Sequence, residues 1–428
     1  MSPGKKIIVV AIIVILLAGF GFSQINYNLK QQINADLLLF KTTANSYTMD
    51  ANIPVSQGKF TFTHIPLEDD AYDSIVPLGN LNPPSHTFPT DHIYFVLKDG
   101  THDVVAPANG AIICIWNKTR EGETYQDYFL LIRHTPTIYS TLDHIVGLAD
   151  WILEKAGKIT GFTQVNIPVE AGQVVGRAEK QPERAWFDWG AMDYDVTLNF
   201  IHPETYGYEV SVHAVCPLDY LEESLREEAY QKVNRVGEPR SGKIDYDLPG
   251  RLSGNWFLEG SQPGVWNYST QLALVYYVYN ASQMVVSVGG DVLAPLPIGV
   301  FNATGPDFTE VSIESGKVIY HLVGIYPETV RDKDYTLVVQ VVGDERIKVE
   351  AFEGHQEEVN FTDKAVFYNR IGPFGSPNSQ IIIILGLAIL NQLSASSEQT
   401  VLLIFGVVGG AAAVFITTII LKPYKKEP

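Results

Sequence analysis

The sequence predicts a mainly β protein: two all-β units in succession, the second an antiparallel barrel or sandwich, set between transmembrane or signal segments at the two ends. Three observations carry this expectation. Between residues 58 and 370, short β-branched and aromatic runs are broken repeatedly by Gly and Pro, which is how strands and turns read. The stretch Gly237-Glu238-Pro239-Arg240-Ser241-Gly242 has a linker's composition and divides that region. Long apolar runs occupy residues 7–22 and 401–421.

The elements follow in order. Residues 7–22 stand behind Lys5 and Lys6, so residues 1–23 read as a signal peptide or an N-terminal membrane anchor. Gly21-Phe22-Ser23 offers small residues where a signal peptidase reads, which leaves both outcomes open. Leu29, Ile33, Leu37 and Phe40 recur at helical spacing over residues 26–40. Phe60, Phe62 and His64 alternate with threonines, a strand pattern, and residues 78–89 form a Pro-, Gly- and Asn-rich loop. Strand-like runs follow at 93–97, 104–105, 111–116, 128–133, 173–175 and 185–189. One helix near residues 145–156 interrupts them, with Ile145, Leu148, Ile152 and Ala156 on one face.

Residues 217–235 read as a helix closing a first domain of residues 24–236: Pro217 starts it, acidic residues fill its early turns, and Lys232 and Arg235 end it. After the linker, 237–242, the second domain spans 243–370. Its strand-like runs are 272–279, 284–288, 311–313, 317–323, 335–342 and 347–352. A juxtamembrane segment, 371–400, carries a short apolar run at 381–390, too short to span. Residues 401–421 lack charge and, as a helix, would cross a hydrocarbon layer of ~30 Å at ~1.5 Å per residue. The tail, 422–428, holds Lys422, Lys425 and Lys426. Lysines at both ends place both termini in the cytoplasm and the chain between them on the extracellular or periplasmic side.

Composition narrows function. The 428 residues include 30 basic and 48 acidic, a formal charge of −18, which repels phosphate backbones and argues against a nucleic-acid partner. Only Cys114 and Cys216 occur, so thiolate zinc ribbons are excluded and any metal site must use His and carboxylate. On an external, oxidising side the two cysteines are expected to pair as a disulfide, with two buried free thiols as the alternative. Sequons at Asn117, Asn267, Asn280, Asn302 and Asn360 permit glycosylation on an external face.

The chemistry-bearing stretch begins at Ser85-His86-Thr87-Phe88-Pro89-Thr90-Asp91-His92 and continues through Val104-Val105-Ala106-Pro107-Ala108-Asn109-Gly110. Then come Leu131-Ile132-Arg133-His134, His144, Val169-Glu170-Ala171-Gly172-Gln173-Val174-Val175-Gly176 and Trp186-Phe187-Asp188-Trp189. In order and spacing, roughly residues 77–200 resemble the lysostaphin-type (LytM-like) zinc endopeptidases. The most specific parts, V-x-A-P-x-x-G and V-x-x-G-Q-x-V-G, are scaffold signatures. The resemblance implies a small β-sandwich with a duplicated hybrid motif, built like biotinyl-lipoyl carrier domains. It also implies a catalytic Zn²⁺ held by three protein ligands beside a water. On that implication His86, Asp91 and Asp188 are the candidate metal ligands and His144 is the candidate catalytic histidine. His92 is an alternative ligand.

Two departures weaken the enzyme reading. Asp91 follows His86 by five residues where the family has four. The late H-x-H is absent: Asp188 stands at the ligand position and Trp186 replaces an auxiliary histidine, and indole does no acid–base work. His86 and Asp91 also fit an ordinary Pro-rich loop with an Asx-turn, and His144 a cap. Trp151, Trp186 and Trp189 suit core or sugar-stacking roles. His202, His213 and Cys216 match no ligand spacing.

The reading is therefore a degenerate peptidase-like domain on a membrane-anchored cell-envelope protein. It binds or scaffolds, needs no cofactor, and has the membrane, envelope polymers or surface proteins as partners. The alternatives are a zinc metallohydrolase with an altered ligand set, and an architectural component of a surface assembly.

Overall fold

The computed structural model describes residues 60–370 except 121, 123–124, 183, 207–208 and 262–267, together with 401–404 and 417–420. The signal or anchor run 7–22, the helix expected at 26–40 and the run 381–390 lie outside the described residues. The chain divides into two units, Met1–Gly372 and Pro373–Pro428.

In the first unit, β1 (Tyr72–Val76), β2 (His92–Leu97), β4 (Gly110–Asn117), β5 (Tyr128–Arg133), β6 (Ile138–Ile145), β8 (Phe162–Val169) and β10 (Trp186–Asp193) make one antiparallel sheet. Their order is β1-β2-β10-β6-β5-β4-β8, with β11 (Ala214–Val215) added on β10. A smaller sheet, β3-β9-β7, is formed by Thr101–Val105, Val174–Glu179 and Gly147–Leu148. Val104, Val175 and Ala178 of the small sheet share a core with Ile112, Leu130, Ile132 and Trp189 of the large one. The opposite face of the large sheet carries Ala111, Ile113, Cys114, Leu131 and Met192, with Phe129 and Phe162 packed against them.

The second β unit is an eight-stranded closed barrel in which every strand pairs with its sequence neighbour. Its strands are β12 (Gly254–Leu258), β13 (Gln271–Tyr276), β14 (Met284–Val288), β15 (Gly299–Thr304), β16 (Lys317–Tyr326), β17 (Asp334–Gly343), β18 (Arg346–Glu353) and β19 (Val366–Asn369). Pairing of β12 with β19 closes it. Trp256, Leu272, Leu274, Phe301, Tyr320, Leu337 and Tyr368 fill the interior, as eight strands allow, so the barrel has a packed core.

Several sequence expectations change. The expected helix at 145–156 is shortened to α1 (Asp150–Ala156), with Ile145 and Leu148 in strands. The preceding Thr137-Ile138-Tyr139-Ser140-Thr141 is β-branched and aromatic and prefers extended backbone. A four-residue helix, α2, spans Glu209–Val212. The closing helix at 217–235 is interrupted: Pro217–Tyr220 is a 3₁₀ turn and α3 covers Glu223–Gln231. Between them the backbone bonds to Phe62 instead, which donates to the Tyr220 carbonyl (2.7 Å) and accepts from Glu222 N–H (3.1 Å).

The 237–242 linker is packed. Arg235 is buried and donates to the carbonyls of Tyr277 (3.0 Å), Val278 (2.6 Å) and Pro239 (2.8 Å). Gly242, at φ +84°, lies so close to Leu78 that a Cβ would run into its carbonyl oxygen. Phe257, Ala273, Val275 and Val300 of the barrel belong to the first unit's core, so the two β units are packed as one body.

Cys114 and Cys216 are both buried and unpaired, which corrects the expected disulfide. They sit in different apolar clusters. Trp189 is fully buried and therefore a core residue.

In the second unit, β20 (Val401–Ile404) and β21 (Thr417–Ile420) pair antiparallel, where the sequence predicts the two ends of one helix. Val401, Ile404, Thr417, Thr418, Ile419 and Ile420 are β-branched and lose side-chain freedom in a helix, which favours the extended form. Among the described residues no helix is long and apolar enough to cross a membrane.

Candidate functional site

Strand register builds the site. On β10, Asp188 stands opposite Tyr94 of β2 and Asp143 of β6, and Gly190 opposite His92. Because side chains alternate along a strand, His92, Asp188 and Asp143 project to one face, while Ile93, Phe187 and Trp189 go to the core. His144 should then point away. Instead it adopts φ +68°, a strained conformation for a residue with a Cβ, and its imidazole returns to the site. The Asp143 carboxylate holds that kink by accepting the His144 backbone N–H (2.7 Å). His86 arrives from the Pro-rich loop, where it exchanges backbone hydrogen bonds with Asn82 (2.9 and 3.0 Å). Its ring lies edge-on to His92, 5.6 Å between centroids.

The acids and imidazoles alternate. Asp91 Oδ1 pairs with His92 Nδ1 (2.9 Å), and Asp91 Oδ2 accepts from Ser211 Oγ (2.7 Å). His92 Nε2 and His144 Nε2 each lie 3.4 Å from the same oxygen, Asp188 Oδ2. His144 Nδ1 pairs with Asp127 Oδ1 (3.2 Å), and Arg184 Nη1 donates to Asp127 Oδ2 (3.0 Å). Lys118 Nζ bridges both Asp143 oxygens (2.6 and 2.7 Å).

This network sets the charges. Burial opposes a charged His144, but Asp143, Asp188 and Asp127 outweigh it and raise its pKa to about 9. His92 is raised for the same reason, against burial, by the Asp91 hydrogen bond and the Asp188 charge. Burial would push Asp143 up, yet His144 and Lys118 hold it down to about 2. Asp91 likewise falls to about 2 through its bond to His92, against burial. His86 goes the other way: burial, reinforced by the charge on His92, lowers it to about 4. It is the neutral imidazole of the group.

Some of these side chains, but not His144, Asp127, Lys118 or Arg184, line a cavity of about 310 Å³. His86, Asp91, His92, Asp143 and Asp188 form its polar end. Trp116, Phe129 and Phe162 form an aromatic wall, with Trp116 stacked on Phe162 at 4.2 Å and 18°. Ile244, Asn255, Tyr268 and Gln271, from beyond the linker, complete it, so both β units contribute. Trp186 packs against Tyr94 outside this lining.

The candidate ligands His86, Asp91 and Asp188 and the candidate catalytic His144 thus come into one neighbourhood, but not to one point. Among the described residues, the His, Cys, Asp or Glu donors lying mutually within 4.8 Å are Asp127, Asp143 and His144. Lys118 and Arg184 already neutralise the two carboxylates of that set. Both Asp91 oxygens are occupied, and Asp188 Oδ2 faces two imidazoles. The candidate ligands do not fit a zinc ion, because the donor atoms of His86, Asp91 and Asp188 do not converge within its reach.

Asp127, Asp143, Lys118 and Arg184 complete the network and were not singled out by motif. The one sequence signal was the adjacency of Asp143 to His144; Lys118 just after β4, Asp127 just before β5 and Arg184 just before β10 are brought in by the pairing of those strands within the sheet.

Neither a described protein family nor a curated protein matches the chain. Among solved structures, it is similar to a chain of the SpoIIQ-SpoIIIAH pore forming complex, at TM-score 0.25 and 13% identity over 40% of this chain and 99% of that one. It is also similar to lysostaphin in solution, at TM-score 0.23 and 10% identity over 73% of this chain and 92% of that one. At these scores nothing about the site follows from either likeness.

Proposed function

We propose that the chain is a membrane-anchored cell-envelope protein whose cavity binds an envelope polymer or surface peptide without cleaving it. One observation carries the non-catalytic part: the Asp188 oxygen that would ligate a metal sits 3.4 Å from both His92 Nε2 and His144 Nε2. A carboxylate placed there attracts the imidazoles to itself, so they neither ligate nor activate a water. Trp186 cannot replace the missing acid–base group. The aromatic wall supports binding, because concave sites of this size use apolar walls for affinity and a few polar groups for orientation. Placement at the membrane rests on the lysines flanking the two apolar runs.

The test is elemental analysis of the full chain purified in detergent, with incubation on glycine-rich and cell-wall peptides. The expected result is substoichiometric zinc and no cleavage, with or without added zinc. Zinc-dependent cleavage abolished by His86→Ala would promote the metallohydrolase alternative and sink this reading. External protease on intact cells should degrade residues 24–375 and spare a C-terminal tag. Digestion of the tag would overturn the topology.

A further inference from the structure

We propose that the cavity selects an uncharged ligand group, a flat apolar body bearing one neutral hydrogen-bonding function, with the His86 imidazole as its polar partner. This rests on the binding reading above and names its ligand chemistry.

The charged groups at the polar end are already matched. Asp91 holds His92 and Ser211, one on each oxygen. Asp143 holds Lys118 with both. Asp188 Oδ2 has His92 Nε2 and His144 Nε2 at 3.4 Å, and its Oδ1 is sealed from solvent. A charged ligand entering here would lose its hydration and find no unmatched counter-charge, and such burial is costly. An uncharged group loses far less.

His86 differs from its neighbours. It lines the cavity, and its ring nitrogens have no hydrogen-bond partner among the described residues. His92 Nε2, Thr90 Oγ1 and Asp188 Oδ1 are also unpaired but sealed; the His86 nitrogens are not sealed. The ring lies 5.6 Å from that of His92 and feels the charges of Asp188 and Asp91, which places it at the polar end. Burial and the charge on His92 lower its pKa to about 4 and keep it neutral. A neutral imidazole offers one N–H and one lone pair, so a hydroxyl or a carboxamide can answer it as acceptor or donor. Elsewhere in the lining, Trp116, Phe129 and Phe162 give a flat body an aromatic surface. About 310 Å³ holds one ring with a short stem rather than a folded partner. A peptide segment with an uncharged aromatic side chain and its backbone amide has this chemistry.

Three probes share one skeleton and differ in charge: 4-phenylbutanamide, 4-phenylbutylamine and 4-phenylbutyrate. A fourth, butanamide, keeps the amide and drops the ring. Each is titrated by calorimetry into the full chain in nanodiscs at neutral pH, with the heat of empty nanodiscs subtracted. 4-Phenylbutanamide should bind about tenfold or more tighter than either charged probe, and butanamide should not bind. His86→Ala should weaken the aromatic amide about 2–12-fold, the worth of one neutral hydrogen bond, and the affinity that remains reports that the variant is folded. His86→Gln keeps a neutral donor and acceptor and should bind the amide more tightly than His86→Ala. A charged probe binding as tightly as the amide would overturn the uncharged selection and leave the groove a binding site. Full amide affinity in His86→Ala would overturn His86 as the partner. No binding by any probe would overturn the binding reading as well. The comparison among probes needs no variant, so it decides the selection even if His86→Ala does not fold.

Discussion

Arg370 is the residue whose loss should be felt most widely. Its side chain and that of Asp247 are each 2% exposed, and they meet at 2.8 Å. The guanidinium also donates to the carbonyls of Asn255 (3.0 Å), Arg251 (3.1 Å) and Ser253 (2.5 Å), and lies 3.8 Å over the Trp256 ring. Asp247 in turn accepts from Asn255 N–H (2.9 Å), Tyr206 O–H (3.3 Å) and Ile201 N–H (3.3 Å). This cluster joins the end of the barrel, its first strand and the loop of the first β unit. Arg370→Met strands a buried carboxylate and three carbonyls. Breaking a buried pair by removing one partner costs ~3–5 kcal/mol. At ~2 °C per kcal/mol for a body of this size, Tm should fall by ~6–10 °C. Differential scanning fluorimetry of the full chain in detergent reads it. Adding Asp247→Leu should restore part of the loss, because the stranded charge is gone, though Asn255 N–H and Tyr206 O–H then lack their acceptor. Asn255 and Tyr206 both line the cavity, so Arg370→Met should also weaken ligand binding while the protein is folded. A Tm change under ~2 °C, or a double variant no more stable than the single one, would refute the assignment of that cost to the stranded charge.

Two further outcomes follow from the titratable groups. His144 is raised to about 9 in the fold, so its contribution is complete below pH ~6.5 and lost as pH climbs through about 9, some ~3 kcal/mol at most. His86 and His134, lowered to about 4 by burial, act oppositely and cost stability as pH falls below ~6.5. Asp91 and Asp143, held at about 2, give up their contribution only as pH drops from ~4 through about 2. Tm against pH should therefore peak near pH 6.5, and His144→Gln should flatten the alkaline side; a wild-type Tm unchanged up to pH 9.5 would contradict this. The second outcome concerns the thiols, both pushed up to about 12 chiefly by burial. Without reductant, iodoacetamide should leave Cys114 and Cys216 untouched in the native protein and label both in guanidinium, whereas a linked peptide by mass spectrometry would disprove it.

Strands that bury apolar side chains on a regular pattern were legible to within a residue, as at 93–97, 128–133 and 284–288. The strands missed are those whose chemistry belongs to another role. Strand β8 contains Asn166 and Pro168, and Pro is tolerated because β8 is the edge of its sheet. Strand β15 begins at a glycine and carries Asn302, and β1 carries Asp73. The helix patterns failed where tertiary bonding outweighed local preference: Phe62 takes the backbone groups that would have continued the 217–235 helix. The linker was legible as a division by composition, but not as a packed joint. Its fit depends on Leu78 and Asn280, far away in the chain.

The site was legible in its members and not in its state. Motif order alone gathers His86, Asp91, His144 and Asp188, and the cavity receives or adjoins all four. What motif order cannot express is the sign of the charge each atom meets. In an H-x-H strand the second imidazole offers a lone pair to a cation and repels a neighbouring imidazolium. A carboxylate at that place does the reverse: it draws His92 and His144, whose pKa values are both raised, toward one of its oxygens. Asp188→His tests this account. An imidazole in place of the carboxylate should raise the zinc content of the full chain in elemental analysis above that of the unmodified protein. Unchanged zinc content would show that the Asp188 carboxylate is not what keeps the metal out.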